Sequence, residues 1–231
     1  MTGRVVVEGA RLVAEAVSRS ASIELLLWSP HLVSRPLPRE DLMRVQGHPK
    51  AQGIADGEME RLAQGPSHQG VLAVVRLPEH TPEDCLQGEG WLVVLDGVQD
   101  PWNFGAIARS ARAFAASGIW YRRGGAAPCS TRAYRAAAGA LLDLPVAAVE
   151  DLEAELGRQS RPIFVAAADG QPIARDWPPP GAGVLVLGNE GQGTAIGLGR
   201  RIAIPMRQGS ESLNVAQAAA ILLSRTYAGM L

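Results

Sequence analysis

Apolar residues along this 231-residue chain come in short runs, separated by polar stretches rich in glycine and proline. "RVVVEGARLVAEAV" from residue 4 predicts a strand running into a helix, and "SIELLLW" and "GVLAVVRL" predict two further strands. The polar, acidic stretch "PEHTPEDCLQGEG" that follows carries two prolines and two glycines, the mark of a linker. Beyond it, apolar strand-like runs alternate with helical patterns. The runs are "WLVVLDGV", "GIWYR", "PVAAV", "PIFVAAAD", "GVLVLGNE" and "RIAIPM"; the helices fall over 103–117, near 131–139 and near 150–157, with one more at the end. Such alternation implies an α/β fold with a mainly parallel sheet covered by helices. The chain therefore divides into a small α/β unit over 1–78, a linker over 79–90 and a larger unit over 91–231, each expected to have its own core.

The last helix breaks the amphipathic pattern. Val215, Ala216, Ala219, Ile221, Leu222 and Leu223 surround its circumference, so it is expected to be buried in the core or partly in a subunit contact. A tight polar group, Ser210, Glu211, Ser212 and Asn214, stands immediately before it. A helix cap at Ser212 or Asn214 accounts for one or two of these residues, and burying the rest is costly unless they are hydrogen-bonded.

Composition narrows the function classes. Hydrophobic residues at 47% and charged residues at 19% fit an ordinary globular protein and exclude a disordered chain or a coiled coil. No apolar run approaches the ~20 residues needed to cross a bilayer, and Glu8 comes too early for a secretory leader, so a cytoplasmic location is expected. Cys85 and Cys129 lie far apart without metal-ligand spacing, which predicts two reduced thiols and no metal site. The net charge of −1 hides a local bias: Arg109, Arg112, Arg122, Arg123, Arg132 and Arg135 fall between Pro101 and Leu142 with no acidic residue among them. Lys50 is the only lysine. Genome composition can produce that preference, but a clustered set of planar guanidiniums also suits phosphate recognition.

Two stretches carry candidate chemistry. In "DPWNFGAIARSARAFAASG", Asp100 and Pro101 form a good helix start; Ile107, Ala111 and Phe114 share one face, and Arg109 and Arg112 the opposite one. That basic face is either solvated or a contact for an anion. In "VLVLGNEGQG", an apolar strand ends in Gly188, Asn189, Glu190, Gly191 and Gly193, where a backbone can approach a ligand beyond the strand's carboxyl end or simply turn. The G-x-G-x-x-G dinucleotide fingerprint does not occur there, which disfavours a nucleotide-binding dehydrogenase.

Taken together, Asn103, Gly105 and Arg109 of an N-x-G-x-x-x-R pattern, "LGNEGQG", and "IPMRQGSESLNVAQAA" resemble the three motifs of the SpoU (TrmH-type) branch of the SPOUT RNA methyltransferases. The resemblance covers 91–231 with the motifs in order. "SHQGVLAVV" at 67–75 is similar to the end of the small RNA-binding domain, like ribosomal protein L30e, that precedes the catalytic domain in many members. The resemblance implies a deep trefoil knot, a homodimer, S-adenosyl-L-methionine as cofactor, and methylation of a ribose 2′-hydroxyl in RNA. Ribosomal RNA is the first expectation for the substrate and transfer RNA the second. A relative that binds RNA without catalysis is the rival reading, disfavoured because Asn103, Arg109, Glu190, Ser212 and Asn214 are all present.

By the same resemblance those five surround the reacting ribose. Leu187, Gly188, Asn189, Glu190, Gly191, Ile204, Met206, Ser212 and Leu213 hold the cofactor, and Arg112, Arg122, Arg123, Arg132 and Arg135 contact RNA. A guanidinium keeps its proton to above pH ~12, so orienting the ribose and its phosphate suits Arg109 better than serving as a base. The chain departs from the family pattern at Ala137, where many relatives have serine, and at Ala216, and both changes remove a hydroxyl.

Overall fold

The computed structural model describes residues 3–33, 37–64 and 68–228. Its amino-terminal unit is a four-stranded sheet of β1 (Arg4–Glu8), β2 (Ser22–Trp28), β3 (Ala51–Gly53) and β4 (Val71–Arg76), ordered β1-β4-β2-β3. β1 and β2 run antiparallel to β4, and β3 runs parallel to β2. Helix α1 (Ala10–Ser18) follows β1 and turns Ala10, Val13, Ala14 and Ala16 inward. Three helices were not legible in the pattern: α2 (Pro30–Val33), α3 (Arg39–Gln46) and α4 (Asp56–Leu62). Ser67 of the "SHQG" stretch lies outside the described residues.

The carboxy-terminal unit is a six-stranded sheet in which every neighbouring pair is parallel. Its strands are β5 (Leu92–Asp96), β6 (Gly118–Arg122), β7 (Val146–Val149), β8 (Ile163–Pro172), β9 (Val184–Gly188) and β10 (Arg200–Ala203), ordered β10-β8-β9-β5-β6-β7. Helices α5 (Pro101–Ala113), α6 (Thr131–Ala137), α7 (Leu152–Gly157) and α8 (Val215–Ala228) connect and cover it. The central strands β5 and β9 read as unbroken apolar runs because both faces of the sheet are covered. Helix α5 begins two residues earlier than the pattern predicts and ends at Ala113. Ala115 there takes a φ of 52° and the Ala116 N–H reaches back to the Ala111 carbonyl, a left-handed helix stop made without glycine.

Residues 79–90 are not a free linker. Cys85 is fully buried in a single 3-10 turn, Asp84–Leu86, packed against β6. The Trp120 indole N–H donates to the Pro82 carbonyl at 3.0 Å, and the Arg161 guanidinium donates to the carbonyls of Leu86, Gly88 and Gly90. One buried cluster also runs through both units, from Val5, Val7 and Val13 to Val93, Phe104 and Leu223, because α6 packs on β1. The expectation of a separate core for each half is replaced by a core continuous across the seam. Among the described residues no helix is long and apolar enough to cross a membrane.

Candidate active site

The site is assembled from three chain segments that meet beyond the carboxyl ends of the parallel strands. The first is the start of α5, where the Asp100 carboxylate accepts from the Trp102 N–H at 2.9 Å and Pro101 occupies the first turn, as the sequence predicts. This start fixes Asn103 one turn in, where it is buried. Gly105 serves packing: a Cβ there would lie 2.2 Å from the Ala133 carbonyl oxygen, so α5 and α6 meet at closest approach.

The second segment is the loop after β9. Asn189 and Gly193 exchange backbone hydrogen bonds at 2.8 Å in each direction. The Asn189 side chain completes the turn: its oxygen accepts from the N–H groups of Gly191 and Gln192, and its amide donates to the Gly97 carbonyl at 3.0 Å. A Cβ at Gly188 would come within 2.4 Å of the Gly193 backbone, so the loop closes only over glycine. Glu190 is thereby held at the loop's tip, exposed.

The third segment is the entry to α8. Asn214 caps it, its side-chain oxygen accepting from the Ala216 N–H at 2.9 Å and its carbonyl from the Ala218 N–H. The other end of the same side chain faces the site. Asn214 Nδ2 donates to Asn103 Oδ1 at 3.1 Å, and Asn103 Nδ2 donates to Glu190 Oε1 at 2.6 Å. Three residues far apart in sequence thus form one hydrogen-bonded chain that ends on a carboxylate.

Beside this chain lies a cavity of about 350 Å³, within the size range of small-molecule sites. All nine residues expected to hold the cofactor line it: Leu187, Gly188, Asn189, Glu190, Gly191, Ile204, Met206, Ser212 and Leu213. Ala166, Ala167, Ala168, Asp169 and Thr194 also line it, and sequence reading missed them. The available signal was the small-residue run "AAAD" within a parallel strand, where small side chains leave room for a ligand. Among the described residues no group of three or more His, Cys, Asp or Glu side chains gathers as a metal site would.

The polar group before α8 is not buried, contrary to expectation: Ser210, Glu211, Ser212 and Asn214 are exposed, and so are Gln217 and Ile221 on the helix itself. Arg109 does not join the Asn-Asn-Glu chain. It lies six residues beyond Asn103, roughly 240° around the helix. It is exposed and lines a different hollow, and it has no ion-pair partner among the described residues.

The arginine block also reads differently in three dimensions. Arg112 pairs with Asp143 at 2.7 Å, Arg122 with Asp96 at 2.6 Å, Arg123 with Glu150 at 2.5 Å and Arg135 with Glu8 at 3.3 Å. The acids missing nearby in sequence are supplied by other elements. Arg122 has a structural task, since Asp96 is buried and also accepts a hydrogen bond from the Thr194 hydroxyl. Arg132 is exposed and carries no such partner among the described residues.

Fold and cavity together define an α/β protein with a small-molecule site at the carboxyl edge of a parallel sheet. The chain belongs to the SpoU rRNA Methylase family, whose pattern matches residues 90–224, more than half of it. An uncharacterized tRNA/rRNA methyltransferase of Mycobacterium sp. (strain KMS) is 32% identical over 188 residues, 74% of this chain and 59% of that protein. The chain thus spans about 59% of the length of this curated relative. Among solved structures, a putative RNA methyltransferase of the TrmH family from Porphyromonas gingivalis matches with a TM-score of 0.75 at 31% identity, covering 96% of this chain and 88% of the other. An AdoMet-bound rRNA methyltransferase from Sinorhizobium meliloti matches with a TM-score of 0.81 at 22% identity, covering 100% of this chain and 89% of the other.

Proposed function

We propose that the protein methylates a ribose 2′-hydroxyl of RNA with S-adenosyl-L-methionine as donor, with ribosomal RNA as the first substrate to test and transfer RNA as the second. The observation that carries this reading is the Asn214–Asn103–Glu190 chain standing beside the cavity. The cavity suits such a cofactor in kind: Leu187, Ile204 and Leu213 offer apolar wall, and the glycine loop offers close backbone approach. Bound there, S-adenosyl-L-methionine supplies an electrophilic methyl group. The protein's task is then to align the hydroxyl and receive its proton. Glu190 is the only titratable group in the hydrogen-bonded chain, which makes it the acceptor, with Asn103 fixing its carboxylate and Asn214 fixing Asn103.

In this reading the loops after β9 and β10, which carry the second and third motifs, form the family's deep trefoil knot. The protein is a cytoplasmic homodimer joined through α5 and α8, which pack together and leave Trp102 51% and Ile221 40% exposed. Light scattering should give twice the 24.4 kDa chain mass, and a persistent monomer at high concentration would remove the dimer. The activity is tested by incubating the protein with methyl-labelled S-adenosyl-L-methionine and either ribosomal or transfer RNA, then mapping nucleotides that resist alkaline cleavage. Label in a base rather than in an alkali-resistant ribose, or in neither RNA, would overturn the proposal.

A further inference from the structure

S-adenosyl-L-methionine carries two positive charges, on its sulfonium and its α-ammonium, and one negative charge, on its α-carboxylate. Three charged side chains line the cavity, Asp169, Glu190 and Arg201, and they carry the opposite set, two negative and one positive. Walls and ligand therefore match in kind and in number. Glu190 is committed to the side of the reacting centre, where its carboxylate accepts from the Asn103 amide. Asp169 on β8 and Arg201 on β10 pair with each other on the two outermost strands of that edge, beyond β9 and away from β5 and α5.

An irregularity in β8 brings Asp169 to the cavity. Arg201 stands opposite Val165, but the next residue, Ile202, stands opposite Gln171, so residues 166–170 bow out of the pairing with β10. Ala166, Ala167, Ala168 and Asp169 of this bow line the cavity. Gly170 lets the strand return, since a Cβ there would lie 2.6 Å from the Ile202 carbonyl carbon. Bulges beside a site re-aim a side chain, and this one presents an acid behind three small residues. The Arg201 guanidinium holds the Asp169 carboxyl below the usual carboxylate range, so it is ionised at neutral pH. The two side chains are nevertheless 74% and 48% exposed, and a pair so exposed contributes little to stability. Exchanging partners for a ligand's ions therefore costs it little.

We propose that Asp169 and Arg201 form the subsite for the amino-acid end of the cofactor, Asp169 accepting from the α-ammonium and Arg201 donating to the α-carboxylate, so that one ion pair opens into two. The inference rests on S-adenosyl-L-methionine being the cofactor. It adds two side chains that lie outside all three motifs, and it leaves Glu190, the other acid of the wall, to the reacting end. A zwitterion is the ligand feature that such a pair of opposite charges fits, and the guanidinium fork suits its carboxylate.

The test is calorimetric binding of S-adenosylhomocysteine and 5′-methylthioadenosine, which share the adenosine thioether and differ in the amino-acid end. The proteins are the wild type, Asp169→Asn, Arg201→Gln and, as a control, Arg200→Gln. Arg200 precedes Arg201 on β10 and pairs with Gln171, outside the cavity lining. The wild type should prefer S-adenosylhomocysteine by about thirtyfold, the scale of two charge-assisted contacts. Asp169→Asn and Arg201→Gln should each weaken S-adenosylhomocysteine roughly fivefold and leave 5′-methylthioadenosine within about twofold, and Arg200→Gln should match the wild type. Arg201→Gln should also lose most of the preference for S-adenosyl-L-methionine over its decarboxylated form, a preference that Asp169→Asn should keep. A wild type that binds the two thioethers equally would overturn the proposal without any variant. So would variants that weaken both thioethers alike, the result if the ion pair only staples the bow in β8 or if Asp169 reads the adenosine. A wild type that binds neither would overturn the cofactor reading as well. Label transfer to RNA with equal thioether binding would leave that reading intact and remove only this subsite.

Discussion

Asn103 has to accept one hydrogen bond and donate another from the same buried side chain, which among residues of its size an amide does without ionising. Asn103→Asp keeps the shape but only accepts, and it sets a second carboxylate against Glu190. Methyl transfer should fall at least about a hundredfold, the scale of losing one aligned polar group at a reacting centre. Cofactor affinity by calorimetry should change little, since Asn103 is not among the cavity's lining residues. A variant with near-normal turnover would break the link between the chain of amides and the chemistry. Cys85 makes a different prediction at this scale. Burial pushes its thiol from 9.0 up to about 12, so the folded protein holds that proton more tightly than the unfolded chain does. The stability it lends is whole below pH 9 and is lost as pH climbs towards about 12. Iodoacetamide at mildly alkaline pH should modify half-buried Cys129 first and Cys85 only on unfolding, as peptide mass spectrometry would read; the reverse order would contradict the burial.

Among the elements, α5 carries the largest burden, because it packs on α6 and α8 while presenting Asn103. Gly105→Ala should raise helix propensity by roughly 1 kcal/mol. The new Cβ would nevertheless lie 2.2 Å from the Ala133 carbonyl oxygen and 2.7 Å from the Ala136 Cβ. Overpacking of this kind costs about 3 kcal/mol, so the net effect should be destabilisation by about 2 kcal/mol, visible in the urea midpoint. A midpoint at or above that of the wild type would mean the two helices are not in such close contact. The parallel strands were legible because burial on both faces leaves unbroken apolar runs between turn signals. α3, β3 and α4 were not, and the reason is equally local. Val45 is the only buried residue of α3 and Met59 the only one of α4, too few to make a helical stripe, and β3 joins its sheet over three residues. The Asp100–Pro101 cap of α5 was legible because both residues act on the backbone next to them with no need of tertiary partners, although the hydrophobic pattern alone set the helix's start two residues late.

At the scale of the molecule, motif residues and charges differ in how far sequence reveals them. Asn103, Glu190 and Asn214 could be named from three motifs, yet no spacing along the chain says that their side chains touch. Arg112, Arg122, Arg123 and Arg135 looked uncompensated because their partners lie in other elements, Glu8 being 127 residues from Arg135. That pair also bears on stability. The Glu8 side chain is 1% exposed and accepts from the Gln64 N–H at 2.6 Å as well as from Arg135, whose own side chain is 35% exposed. Arg135→Ala would leave a buried carboxylate with one donor and no counter-charge. Breaking a fully buried pair costs 3–5 kcal/mol, and discounting for the exposure of Arg135 leaves about 2 kcal/mol. Glu8→Gln in the Arg135→Ala background removes the stranded charge and keeps the acceptor for Gln64, so it should recover at least about half of the loss. The measurement is a double-mutant cycle by urea unfolding, in which the two substitutions together cost less than the sum of each alone. Strict additivity would mean that the Arg135–Glu8 pair contributes nothing to holding the two units together.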